Sequence, residues 1–154
     1  DEYINLTINK VWKDFRNMDN LRPTSITVTI SRSWMDADGK EHTEVVPNYE
    51  NYEIKGDISK STWQKVIETL PAYTKDDAGT PHYYKYSITE TEIKGYTTTI
   101  ESSEDGFTFT IINRHFALLP DTGGEGIMMF IIAGGLLLAF LLYTGRRKKR
   151  KQTM

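Results

Sequence analysis

The 154-residue chain contains no cysteine. That excludes a disulfide frame, a thiolate zinc site, an iron–sulfur cluster and a cysteine nucleophile. Three histidines are too few and too scattered to read as a metal cluster. No phosphate-binding glycine loop and no Ser–His–Asp set is evident, so neither a cofactor nor a metal is expected. The chain also lacks a net charge of consequence: 19 basic against 21 acidic residues leave −2. Its length allows one domain of ordinary size with an appendage and excludes a multidomain enzyme of usual dimensions.

The near-neutral balance averages three unlike segments. Residues 1–122 hold 13 Lys/Arg and 20 Asp/Glu, net −7, which excludes a nucleic-acid surface. Residues 146–154 hold six basic residues and no acid. Between them Ile127–Thr144 runs 18 residues without a charge. As a helix it spans roughly 27 Å, close to a hydrocarbon core of about 30 Å. A buried core helix is rarely apolar all round and then stopped by six cations. A membrane span with the run Arg146–Lys151 held in the cytoplasm accounts for both features.

Directly before the span stands Leu119-Pro120-Asp121-Thr122-Gly123. LPDTG, an apolar helix and a basic tail, in that order, resemble the cell-wall sorting signal of Gram-positive surface proteins. The resemblance implies that a membrane sortase cuts between Thr122 and Gly123. The sortase cysteine attacks the Thr carbonyl, and an amine of a peptidoglycan precursor resolves the acyl-enzyme. This chain is then a substrate in that chemistry. Pro120 fixes an extended segment, while the anchor parks it at the membrane surface. Export requires a leader, and the chain opens on Asp1-Glu2-Tyr3 without one. The expectation is therefore the C-terminal part of a longer precursor, or a chain lacking its signal peptide.

Residues 1–116 read as all-β. Short runs rich in Thr, Ile, Val and Tyr predict strands at Ile4–Lys13, Ser25–Arg32, His42–Val46, Tyr49–Ile54, Trp63–Leu70, Tyr83–Glu90, Tyr96–Glu101 and Phe107–Asn113. Turn signals separate them at Asp38-Gly39, Gly56-Asp57, Pro71, Asp76–Gly79 and Asp105-Gly106. Regular short strands of this kind suggest a sandwich. Ser59–Leu70 could instead hold a helical turn, and no internal repeat is evident. The expected organisation is a sandwich over 1–116, a linker with the sorting motif over 117–126, a transmembrane helix over 127–145 and a basic tail over 146–154.

Strand parity singles out three polar residues. Ile4, Leu6, Ile8 and Trp12 share a face, and Lys10 lies on it. Phe107, Phe109 and Ile111 share a face that Asn113 continues. Tyr84, Tyr86 and Ile88 share a face that Glu90 continues. Burying an amine, a carboxyl and an amide without partners costs several kcal/mol, so three inward-facing examples are best explained if they meet. From parity alone, a buried Lys–Glu ion pair with a nearby Asn, or strand-end residues reaching solvent, is the better explanation.

Lys10-Val11-Trp12 followed by Arg22–Val28 resembles the opening of the B-type repeat of collagen-binding surface adhesins, the Cna B-type domain. Trp63 with Leu70-Pro71 resembles its central strand. Tyr86–Thr91 with Gly95-Tyr96 resembles its glutamate signature, and Phe109–Asn113 its last strand. The likeness covers about residues 4–116. Lys13 stands where the family often has Asp, and residues 31–60 align poorly. The resemblance implies an Ig-like β-sandwich with an intramolecular isopeptide bond: Lys10 supplies the amine, Asn113 the carboxamide, and Glu90 handles the proton. An apolar site suits this, because it lowers an amine pKa and raises a carboxyl pKa. Lys13 is the second candidate amine, disfavoured by its outward parity.

Weaker signals have plainer readings. Asp36–Gly39 lacks the remaining ligands of a calcium loop and reads as a hairpin turn. Asp14–Asp19 reads as a solvated loop rather than a loose cation site. Asn5-Leu6-Thr7 is a formal sequon without consequence in a wall protein. Trp34, Tyr49 and Tyr52 read as core or edge packing rather than a contact patch. The functional expectation is a stalk module of a sortase-anchored surface protein, not an enzyme. The alternatives are a module that binds a host extracellular-matrix protein, or a basal minor pilin. No Tyr-Pro-Lys-Asn shaft motif is present.

Overall fold

The computed structural model describes residues 2–116. The sorting motif, the predicted transmembrane helix and the basic tail lie outside the described residues. Ten strands form: β1 Tyr3–Lys13, β2 Ser25–Met35, β3 Glu41–Val45, β4 Tyr52–Lys55, β5 Thr62–Pro71, β6 Tyr73–Lys75, β7 Pro81–Tyr83, β8 Lys85–Glu90, β9 Thr97–Ser102 and β10 Thr108–Arg114. One sheet runs β5-β1-β10-β9. The other is built on β2, with β3 and β4 along one edge and β8 along the other. A small β6–β7 hairpin stands apart from both.

The alternation that predicts strands is the alternation that fills the core. Leu6, Ile8 and Trp12 of β1 face Ile26, Val28 and Ile30 of β2, with Ile54, Trp63, Ile67, Ile88, Phe109 and Ile111 completing the layer. Each is a β-branched, aromatic or leucine side chain on a pleated face, which is what a sandwich interior selects.

β1 and β10 pair in parallel, Thr7 with Thr108 through Lys13 with Arg114. The other pairings in that sheet are antiparallel. The first and last strands are thus neighbours running the same way. The β1–β5 ladder slips between Ile4 and Leu6. There Thr69 takes φ 61°. Its N–H is satisfied by Asn5 Oδ1 at 3.2 Å, so the sequon asparagine serves as a bulge partner.

Several sequence expectations need correction. The strand expected at Trp63–Leu70 forms, over Thr62–Pro71, and the alternative helical turn does not. β2 continues to Met35, because Arg32 and Ser33 pair on both sides, with β3 and β8, and Trp34 and Met35 pair on with β3. Tyr49 precedes its strand and lies in the turn that donates to Val46 O. The β6–β7 hairpin is an addition. Its turn repeats that of β2–β3: Asp36–Gly39–His42 and Asp76–Gly79–His82 share the pattern Asp-x-x-Gly-x-x-His. In each, the Asp side chain accepts backbone N–H groups of the turn and faces the His ring, at 2.7 Å for His42 and 3.3 Å for His82.

Candidate functional site

Three elements deliver the site. β1 carries Lys10 and β10 carries Asn113 on neighbouring strands of one sheet. Glu90 ends β8 in the opposite sheet and reaches across the interior. Lys10 and Asn113 are fully buried, and the side chain of Glu90 is 0% exposed. Lys10 Nζ donates to Asn113 Oδ1. It stands 3.0 Å from Glu90 Oε1. That oxygen accepts no aligned hydrogen bond despite the close approach, so it has acceptor capacity to spare. Lys13, the second candidate amine, points to solvent and pairs across from Arg114.

The walls are aromatic. Trp12 sits beside Lys10, its ring centroid 4.3 Å from Nζ. Trp63 and Tyr96 pack edge-on against Trp12 at 5.3 and 5.0 Å. Burial in this setting pushes the Lys10 amine down to about 8, although the nearby Glu90 carboxylate pulls the other way. An amine, a carboxamide and a carboxyl group therefore meet in a buried site with aromatic walls. That set can perform acyl transfer from the amide to the amine.

Sequence parity overlooks Thr98. On β9, directly opposite Asn113, its Oγ1 donates to Glu90 Oε2 at 2.8 Å and accepts from Asn113 Nδ2 at 3.4 Å. Thr98 sits in a run of three threonines, so composition gives no cue; only the pairing register marks it.

A second polar cluster supports the first. Asp14 is buried, not part of a solvated loop. Arg22 grips it with Nε at 3.0 Å and Nη2 at 2.5 Å, and Tyr96 Oη donates to it at 3.0 Å. Arg22 Nη1 also donates to Ile58 O and Lys60 O, both at 2.8 Å. Burial opposes charge on Asp14, but Arg22, the Asn17 N–H and Tyr96 outweigh it and hold the carboxyl below its usual range. This clamp offsets a strained loop in which Phe15, Arg16 and Asn17 take φ of 53°, 60° and 59°. Arg22 also lies 5.6 Å from the Trp12 ring, so the clamp braces the wall of the Lys10 pocket. Among the described residues no group of His, Asp and Glu is arranged to hold a metal ion.

Residues 6–114 match the family described as the Cna protein B-type domain. The chain belongs to that family. Residues 117–153 of this Cna B-type protein match the LPXTG cell wall anchor motif. It is therefore a cell wall-anchored, extracellular surface protein of the Gram-positive kind, of a structural family rather than an enzyme family, and its LPDTG implies sortase processing.

Solved structures similar to this Cna B-type chain include repeats of the namesake. A single B repeat unit (B1) of the collagen-binding surface protein Cna of Staphylococcus aureus is 27% identical, with a TM-score of 0.45, over 73% of this chain and 50% of that one. The two-repeat B1B2 unit is 26% identical, TM-score 0.44, over 73% and 25%. The pilus adhesin SpaC of Lactobacillus rhamnosus GG is 16% identical, TM-score 0.40, over 72% and 12%. The chain thus spans half or less of each of these. No curated protein matches it.

Proposed function

We propose that this domain is a stalk module held together by an intramolecular isopeptide bond between Lys10 and Asn113. The observation that carries the proposal is the contact of Lys10 Nζ with Asn113 Oδ1, with Glu90 Oε1 3.0 Å from the amine and all three side chains buried. The neutral amine attacks Asn113 Cγ. The Nζ–Cγ bond forms, the Cγ–Nδ2 bond breaks, and an amine proton passes by way of Glu90 to the nitrogen that leaves as ammonia. The event happens once per chain.

The organisation that goes with this function is a sandwich over 1–116, a sorting linker over 117–126, a transmembrane span over 127–145 and a cytoplasmic tail over 146–154. Sortase cleavage between Thr122 and Gly123 then leaves the stalk on the peptidoglycan and discards the span with its cations.

The intact mass of the full chain, expressed without a sortase, tests the bond. Wild type is expected one ammonia lighter than its sequence. Lys10→Ala and Glu90→Ala are expected at full mass. A wild type at full mass removes the proposal.

A further inference from the structure

The leaving nitrogen needs a proton, and Glu90 is placed to take one from the other side. Glu90 Oε1 faces the Lys10 amine at 3.0 Å. Glu90 Oε2 faces Thr98 Oγ1 at 2.8 Å. Thr98 in turn holds Asn113 Nδ2, the atom that departs, at 3.4 Å. Asn113 is thereby oriented at both ends: Lys10 on its oxygen, Thr98 on its nitrogen. Lys10, Asn113 and the Glu90 side chain are buried, whereas Thr98 is exposed on β9. The hydroxyl thus touches both buried groups from an exposed residue at the edge of the site.

We propose that the Thr98 hydroxyl is the relay that carries a proton from Glu90 to Asn113 Nδ2 as the isopeptide bond forms. This rests on the cross-linking reading above. The step starts from the neutral acid form of Glu90, whose Oε2 proton is donated to Thr98 Oγ1 in place of the hydrogen bond that the hydroxyl gives to the carboxylate. As the Lys10 nitrogen bonds to Cγ, the hydroxyl turns from Glu90 toward Nδ2, gives its proton to that nitrogen and takes the Oε2 proton in exchange. The Cγ–Nδ2 bond breaks and ammonia departs. Glu90 Oε1 then removes the surplus proton from the new amide nitrogen. Glu90 ends with one proton, as it began, and Thr98 is unchanged. The two carboxylate oxygens have separate tasks, which matches their separate partners. A hydroxyl in a donor-and-acceptor position can pass a proton in this way, and a methyl group cannot.

The test is a time course of cross-linking. The full chain is made by cell-free synthesis without a sortase, aliquots are quenched, and the fraction lacking one ammonia is read by intact mass. Thr98→Val keeps the shape and strand preference of threonine. It is expected to cross-link on the order of tenfold or more slowly. Thr98→Ser restores the hydroxyl and is expected near the wild-type rate. Circular dichroism checks that each variant folds; should Thr98→Val not fold, Thr98→Ala takes its place beside the Ser rescue. A wild type that loses ammonia while a folded Thr98→Val or Thr98→Ala keeps pace overturns the relay alone. A Ser variant as slow as Val overturns it too, because the hydroxyl is then not what matters. A wild type at full mass overturns the cross-link, and the relay with it.

Discussion

A lysine amine is ordinarily a cation at neutral pH, and a cation cannot attack a carbonyl. Burial changes this for Lys10, whose pKa falls from 10.5 to about 8. The sign follows for both rate and stability. The fraction of neutral amine rises as pH approaches and passes 8, so cross-linking of newly made chain is expected to speed up through that range and then level off. Stability of the uncross-linked chain moves the same way. The folded value lies below the unfolded one, so the unfolded state binds more protons between about 8 and 10.5. Folding therefore gains stability as pH rises through that window, and the full penalty applies below it. A mass time course at several pH values checks the first expectation; a rate that falls between neutral pH and 8 contradicts it. Parity marked Lys10, Glu90 and Asn113 in the sequence, because a polar residue on an apolar stripe is conspicuous, but only the resemblance to the B-type repeat suggested a reaction among them. Thr98 was not legible, since one threonine among several on an exposed strand carries no signal. Asp14 was misread for a related reason: its partner Arg22 is eight residues away across a left-handed loop that no local pattern announces.

At the scale of elements, the strands follow the two-residue period closely, and the departures have local causes. The parallel pairing of β1 with β10 is invisible to periodicity, which reports faces and not neighbours. The β6–β7 hairpin escaped because its strands are only three residues each. The pair of Asp-x-x-Gly-x-x-His turns became plain only once both were seen to close hairpins. The β4–β5 connection carries its own demand. A Cβ at Gly56 would lie 1.9 Å from the Trp63 ring. Trp63 has little room to yield, because its Nε1 donates to Asp57 O at 2.8 Å and its ring packs on Trp12. Gly56→Ala is expected to cost about 1–3 kcal/mol through overpacking and to disturb the wall of the Lys10 pocket. Thermal unfolding and tryptophan fluorescence read both effects; an unchanged melting temperature contradicts the packing argument.

For the whole molecule, parallel first and last strands put the chain's entry and exit at opposite ends of one β ladder. Pulling between them loads the Thr7–Lys13 and Thr108–Arg114 register along its length. A covalent link from Lys10 to Asn113, 103 positions apart in sequence, carries that load across two side chains and spares the fold between. The same closure removes roughly 4–5 kcal/mol of unfolded-state entropy. A folded Glu90→Gln chain, which keeps the side-chain shape without the carboxylate, is expected to lose stability of that order in denaturant unfolding. Equal stability of cross-linked and uncross-linked chains contradicts this. In a chain without cysteine, such a bond supplies what a disulfide would, without redox chemistry. The charge asymmetry also gains its meaning at this scale: residues 1–122 carry net −7, and the six cations that mask it lie beyond the LPDTG motif. The measurement that tests the central claim most directly is tandem mass spectrometry of a proteolytic digest of the wild-type chain. The account predicts a branched peptide in which the Lys10 side chain is joined to that of Asn113 with loss of one ammonia. Linear peptides carrying both residues at full mass, or a branch through Lys13, would contradict it.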